Sequence, residues 1–399
     1  MSKNWNTFFN ILQKEERVII GLMSGTSLDG LDIALCRIKG HGLNTELKLM
    51  KFHTVPYDDE LKTEIQAIFS KTMVDLQMIA LMNERIALLH AEMVLGSLQE
   101  WGIKPSEIDV IASHGQTIYH APKSLHGLQG YPNATLQIGD GDHIAFKTGI
   151  ITIADFRQKH IAAGGEGAPL AVYGDYLYFS KPGETRIMLN IGGIANITYL
   201  PGDSSVEGIF STDVGPGNTI MDHFVQANFE GMTYDVDGLI AASGHVNSDL
   251  LTSLLKHKFI DLPFPKTTGP ELFNLNFLAS AQLNSNTQYI TREDVLATLN
   301  KFTATVIVNS IKRCITNDEA VTVYFSGGGI HNKLLVSCLK ADLPELRFAT
   351  TDELGILPDA KEAVLFAILA NETLAGDSLD FGQRSGLPSI CMGKVCLPF

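Results

Sequence analysis

The sequence predicts an α/β protein made of two related domains, each opening on a β-hairpin with a tip of small residues. Three observations carry this. Apolar strand runs alternate with amphipathic helical stretches, the strands end in Gly, Asp and Ser, and a hairpin pattern near the N-terminus returns in mid-chain. The chain's 399 residues suit two domains. With 45% hydrophobic and 19% charged residues it has material for a sizeable core, which excludes a disordered chain.

The first hairpin is read from Arg17–Met23 and Leu31–Ile38, joined by the small, polar turn Ser24–Gly30. A third strand follows at Glu46–Val55. From Asp75 to Trp101 the residues Leu76, Ile79, Met82, Ile86, Leu89 and Met93 recur at helical spacing, so a helix lays one apolar stripe on the core. Short strands at Asp109–Ala112, Ala134–Ile138 and Ile150–Ala154 run into Ser113–Thr117, Gly139–Asp142 and Asp155–Arg157. Polar residues just past strand C-termini are where α/β folds place their sites.

The second hairpin is Arg186–Ile191 and Ile194–Leu200, turning at Gly192-Gly193. Its turn does not repeat the first letter for letter, so the duplication is a weak internal repeat. Ser211–Asn218 then precedes a helix. A strand at Val321–Phe325 leads through Gly327-Gly328-Gly329 to a helix from about Asn332. No low-complexity linker separates the halves. The expected domains are 1–150 and 151–399, with the extreme C-terminal segment joining the first.

Charge and cysteine content narrow the function. The 30 basic and 44 acidic residues give a formal charge of -14, which removes the electrostatic case for nucleic acid or an anionic membrane as partner. Phosphate must therefore be gripped by local groups: backbone N–H donors, helix N-termini and a metal ion. Five scattered cysteines read as reduced thiols of a cytoplasmic protein rather than a disulfide framework. No signal-peptide apolar region and no long apolar run is present. The sequence leaves both a monomer and a homodimer open.

Glycine clusters dominate the candidate chemistry. Gly25-Thr26-Ser27-Leu28-Asp29-Gly30 sits in the first hairpin turn, where small residues let N–H groups approach an anion. A plain hairpin with Gly in a left-handed conformation explains it equally well. Asn190-Ile191-Gly192-Gly193 and Gly327-Gly328-Gly329 are further clusters, and three together favour nucleotide contacts. There is neither a Walker Gly-Lys-Ser/Thr nor a GxGxxG fingerprint, which argues against a nicotinamide enzyme. Asp155, at a strand end before Arg157 and the loop Ala162–Gly167, fits a general base and equally a helix N-cap. Asp29 and Asp213 are candidate magnesium ligands, each also readable as a turn or capping residue. His114 and Gln116 lie on an expected loop after a strand, beside Ser113 and Thr117. Glu362 opens an apolar helix and requires a partner or a polar ligand.

The phrases MSGTSLDGLD, SHGQTIYH, TLQIGDGDHIA, IADFRQKHIAAGGEGAPL, LNIGGIANIT, DVGPGN and KEAVLFA occur in order. Together they resemble the anhydro-N-acetylmuramic acid kinases of bacterial cell-wall recycling, within the sugar kinase, Hsp70 and actin superfamily. The resemblance runs from about residue 18 to near the C-terminus. Residues 1–16 extend beyond it, and Ser385–Phe399 keeps only a loose pattern. The resemblance implies two ribonuclease-H-like domains around a central ATP cleft. It implies that Gly25, Thr26, Ser27, Leu28, Asp29, Gly30, Leu31 and Asp32 form a first phosphate loop. Asn190, Gly192 and Gly193 then belong to a second loop, and Gly327, Gly328 and Gly329 to the adenosine side. Asp155 becomes the catalytic base, and His114, Gln116 and Glu362 fall in sugar-contacting segments. ATP, Mg²⁺ and an amino sugar are the implied ligands.

Overall fold

Two β-sheets organise the chain in the computed structural model, which describes residues 3–25, 27–203, 205–269, 271–315, 320–377, 381 and 387–399. The strands of the first are β1 Glu16–Ser24, β2 Gly30–Lys39, β3 Glu46–Pro56, β4 Val110–Ala121, β5 Ala134–Ile138 and β6 Thr152–Ala154. Those of the second are β7 Thr185–Ile191, β8 Ile194–Leu200, β9 Phe210–Pro216, β10 Val321–Ser326 and β11 Arg347–Thr350. The chain ends with β12 Lys394–Cys396, which belongs to the first sheet.

The first sheet runs β12-β6-β4-β1-β2-β3, with β5 added to β4; the second runs β11-β10-β7-β8-β9. In each, an antiparallel meander of three strands is extended by two strands that run parallel to its first member, β4 and β6 in one and β10 and β11 in the other; the first sheet adds β5 and β12 antiparallel to β4 and β6. Both sheets thus share one ribonuclease-H-like order, and the duplication hinted at by the paired hairpins is carried by topology rather than by matching letters.

Local sequence explains the major helices. The helix Leu76–Trp101 starts where the Asp75 carboxylate accepts the Gln77 N–H, and it stops at Gly102 in the left-handed conformation. Its expected stripe is only partly buried: Met82 and Ile86 are in the core, whereas Leu76 overshoots the sheet and is exposed. A histidine, His90, occupies the middle of the buried face. In the second half, Arg292–Cys314 is buried along opposite sides, Leu299 and Phe302 toward one apolar cluster and Ile307 and Ile311 toward the other.

The division of the chain departs from the expected 1–150 and 151–399. One compact unit comprises residues 1–179 and 360–399, the other 180–359. Sheet pairing is the reason. β6 lies parallel to β4, with Ile111 opposite Thr152, and β12 pairs with β6, with Lys394 opposite Ala154. The segment bearing Asp155 and the helix Lys361–Ala375 bearing Glu362 therefore both fall in the first unit.

The region of His114 and Gln116 also departs from expectation. It is not a loop: β4 continues through both residues to Ala121. The pairing with β1 slips between Leu22 and Ser24, a bulge where Gly115 adopts φ +73°. Likewise Ser211–Pro216 is strand, within β9, and the helix begins at Thr219.

Helix Lys361–Ala375 lies on the first sheet so closely that a Cβ on Gly21 would overlap the Ala363 carbonyl oxygen. Gly21→Val is expected to lower stability by about 1–3 kcal/mol or more, since overpacking is relieved only by moving backbone. Urea denaturation checks this, and a midpoint equal to the parent's is the contrary result.

Candidate active site

Asp155 follows β6 at the start of the helix Phe156–Ala162, the position of an N-cap, yet its side chain caps nothing. The residue is left-handed, φ 58° and ψ 37°, a conformation that Asp tolerates better than most. Its carboxylate turns away from the helix, is 40% exposed, and accepts from Lys394 Nζ at 2.8 Å. Lys394 is there because β12 pairs beside β6.

Two residues on, Arg157 donates from Nε to His114 Nε2 at 3.0 Å and from Nη1 to the Gly167 carbonyl at 2.7 Å. A guanidinium has no acceptor, so His114 Nε2 carries the lone pair and the ring's proton sits on Nδ1. Burial, reinforced by Arg157, holds the His114 pKa well below the ordinary imidazole value, so the ring is neutral. Burial also pulls Arg157 down to about 10, while Glu362 opposes that shift. The His114 ring lies 4.9 Å from the Phe366 ring, and Phe366 lies 5.3 Å from Phe156.

Glu362, in the first turn of its helix, reaches solvent but is hemmed in by protein. Desolvation pushes its carboxyl above the usual range; Lys361 and Arg157 pull it down, and Asp175 adds to the rise. Lys361 is itself held by Asp175 at 3.0 Å. Gln116 is fully buried, which departs from a direct sugar contact. Its Oε1 accepts from Ser24 Oγ and its Nε2 donates to the Gly25 carbonyl.

Along the first glycine loop the expected contacts divide. Ser27 and Asp29 are exposed, and Gly25 has space beside it, with the nearest atom to a built Cβ at 3.6 Å. Leu28, at φ 59°, and Leu31 are core residues, and a Cβ on Gly30 would overlap the Val55 carbonyl oxygen. Asp32 accepts from Thr54 Oγ1 at 2.6 Å. Thr26 lies outside the described residues.

In the second unit, parallel pairing of β10 with β7 sets Ser326 opposite Asn190 and brings Gly327–Gly329 to the second hairpin. Gly327 and Gly329 face Asn190 and Ile191 so closely that a Cβ would overlap them, whereas Gly328 faces open space. The Gly192 carbonyl accepts from Asn218 N–H at 2.9 Å, and the Gly193 carbonyl from Gly217 and Thr219 N–H at 2.9 and 3.1 Å. These carbonyls are thus spent on the start of the next helix; Gly192 keeps an open side. Asp213, on β9 opposite Asn196, accepts the Thr268 N–H at 2.9 Å. Burial raises its carboxyl to about 6, with Glu271 adding to the rise and Lys266 opposing it.

Gly328 faces open space and Gly25 and Gly192 are uncrowded, each with its nearest protein atom 3.6 Å from a built Cβ, which fits the close approach of phosphate or adenosine. Among the described residues no group of three or more His, Cys, Asp or Glu is arranged to hold a metal ion. A magnesium carried on a nucleotide needs only one or two carboxylates. Exposed Asp29 and half-buried Asp213, the latter held by its backbone donor, are single carboxylates of that kind.

Sequence reasoning did not single out Lys394, Tyr57 or His90, and treated Arg157 only as a neighbour of Asp155. Arg157 gave a signal only through its nearness to Asp155 after an apolar strand; Lys394 gave none, because only strand pairing places it at Asp155.

Asp213 generates a stability prediction. Its native pKa is raised, so the native state holds that proton more tightly than the unfolded chain. Stability is therefore full below the unfolded pKa near 3.8 and lost as pH rises through about 6. Asp213→Asn keeps the acceptor for Thr268 and removes the buried charge. It is expected to be more stable than the parent near pH 7.5, by on the order of 2 kcal/mol, and equal to it near pH 4. Thermal melts at the two pH values check this.

A family model described as Anhydro-N-acetylmuramic acid kinase matches residues 17–383. A protein of that name from Pseudoalteromonas atlantica is 55% identical over 400 residues, covering 100% of both chains. Another from Caldanaerobacter subterraneus subsp. tengcongensis is 41% identical, covering 97% of this chain and 98% of that one. Among solved structures, a ROK family glucokinase from Streptomyces griseus with glucose and AMPPNP aligns at a TM-score of 0.37 and 10% identity, over 88% of this chain and 98% of that chain.

Proposed function

The chain belongs to the anhydro-N-acetylmuramic acid kinase family, and from that premise we propose that it hydrolyses the 1,6-anhydro bridge of anhydro-N-acetylmuramic acid and phosphorylates O6. The products are N-acetylmuramic acid 6-phosphate and ADP, in peptidoglycan recycling in the cytoplasm. The observation that carries the catalytic assignment is the Asp155 carboxylate, set in a capping position but 40% exposed and accepting on Oδ2 from Lys394.

In the proposed step water adds to C1 and gives its proton to Asp155. The C1–O6 bond breaks, O6 forms a bond to the γ-phosphorus, and the bond from that phosphorus to the β,γ-bridging oxygen breaks to release ADP. Asp155 then returns the proton to solvent. The chain binds and orients. Glu362, exposed in the first turn of its helix, accepts from sugar hydroxyls. Arg157, pinned by His114 and Gly167, keeps a fixed positive charge that acts on Glu362. N–H groups of the loop around Gly25 take nucleotide phosphate, and Mg²⁺ carried on the nucleotide would offset its charge.

Reaction in ¹⁸O-water tests the chemistry: label is expected in the C1 hydroxyl of the product, and its absence removes bridge hydrolysis. Asp155→Asn is expected to lower kcat by about 10²–10⁴-fold with ATP affinity and melting temperature retained. Because the Asp155 side chain caps no N–H, the loss cannot be assigned to helix stability; near-parental turnover would remove the base assignment. Gly25→Val is expected to fold normally, since a Cβ there would make only an ordinary contact with Ser27 Oγ at 3.6 Å, and to weaken ATP binding in calorimetry.

A further inference from the structure

A chain of four polar side chains runs through the first unit's apolar core and ends on the first glycine loop. His90, Tyr57, Ser24 and Gln116 are at most 3% exposed. Around them lie Leu28, Leu31, Met82 and Ile86. Polar groups in such a setting cost stability unless bonded, and an apolar set of the same shape serves packing as well. Their presence calls for a reason other than the core.

Donor directions are fixed from the loop end. Gln116 Nε2 donates to the Gly25 carbonyl at 3.3 Å, so Oε1 is the atom facing Ser24 and accepts the Ser24 hydroxyl. Ser24 Oγ in turn accepts the Tyr57 hydroxyl at 2.8 Å. The Tyr57 oxygen then accepts from His90 Nε2 at 2.6 Å, which puts the His90 proton on Nε2. His90 Nδ1 is buried with no hydrogen-bond partner among the described residues. Burial lowers the His90 pKa to about 4, so the imidazole is neutral and the directions do not invert near neutral pH.

Tyr57 also donates its backbone N–H to the Asp29 carbonyl at 3.1 Å. One residue therefore holds both shoulders of the loop, Ser24 through its hydroxyl and Asp29 through its main chain. Between them, the Gly25 carbonyl is shared by Gln116 and the Leu28 N–H. With these groups tied inward, exposed Ser27 and the open side of Gly25 are left facing solvent.

We propose that Tyr57, relayed to Gly25 through Ser24 and Gln116 and anchored by His90, is a positioning residue that presets the phosphate loop for ATP. This rests on reading that loop as phosphate-binding. It also reassigns Gln116: its substitution acts on nucleotide, not on sugar.

The test uses the full chain with Tyr57→Phe, which removes only the hydroxyl, and Gln116→Met, which keeps length and removes both polar ends. Each is expected to raise the KM for ATP about tenfold, the size of one buried hydrogen bond, with the sugar KM unchanged. A second readout is faster amide hydrogen exchange at Ser27–Gly30 with protection in β1 and β2 retained. If Gln116→Met raises the sugar KM instead, or if both KM values rise together with a fall in melting temperature, the relay is overturned. If Gly25→Val abolishes ATP binding while both variants bind ATP like the parent, the relay fails and the loop reading stands. If Gly25→Val leaves ATP binding intact, the loop reading fails and takes the relay with it.

Discussion

The contact on which the rest depends is the approach of helix Lys361–Ala375 to β1, made possible by the missing side chain at Gly21. More than three hundred residues of chain separate the two elements, and closing so long a loop carries an entropic cost that the buried helix face must offset. Its Ala363, Phe366, Ala367 and Ala370 are all buried. Once seated, the helix fixes Phe366 against His114 and Phe156, and its first turn sets Glu362 within the field of Arg157. A bulkier residue at Gly21 displaces all of these together.

Around that seat the electrostatics follow from one immovable cation. Arg157 is always protonated near neutral pH, and it cannot accept a hydrogen bond. It therefore dictates the tautomer of His114, depresses that ring's basicity, and partly offsets the desolvation of Glu362. Asp155, two residues before Arg157 in the chain and in a left-handed conformation, meets a different cation, Lys394, from the last strand. That exposed pair is worth little to stability. Its consequence is geometric: Oδ2 is engaged and the carboxylate's orientation is set.

The glycines divide by what a side chain would meet. At Gly21, Gly30, Gly327 and Gly329 it would strike protein, so these glycines serve the fold. Gly25 and Gly192 make only ordinary contacts and Gly328 none, and it is these that suit a ligand. Apart from Gly21, which lies in an apolar strand run, all appear alike in the sequence as members of Gly-rich turns, and only the neighbours that tertiary packing brings distinguish them.

The sequence by itself determined what depends on neighbours along the chain. The two hairpins, the strands before Ser113 and Asp155, and the long helix ended by Gly102 were all legible from periodicity and turn residues. So were the Asp155 strand end and the three glycine clusters, because short motifs carry their own local geometry. Tertiary structure alone decided the rest. It put 151–179 and the helix Lys361–Ala375 in the first unit, together with the C-terminal segment expected there, since β6 pairs with β4 and β12 with β6. It carried β4 through His114 and Gln116 across a bulge, turned Gln116 inward, and joined His90 and Tyr57 to the first loop. The physical reason is common to these cases. Strand pairing and buried side-chain hydrogen bonds link residues far apart in the chain, and neither the 3.6-residue nor the two-residue period of a sequence records which distant partner a polar group will meet.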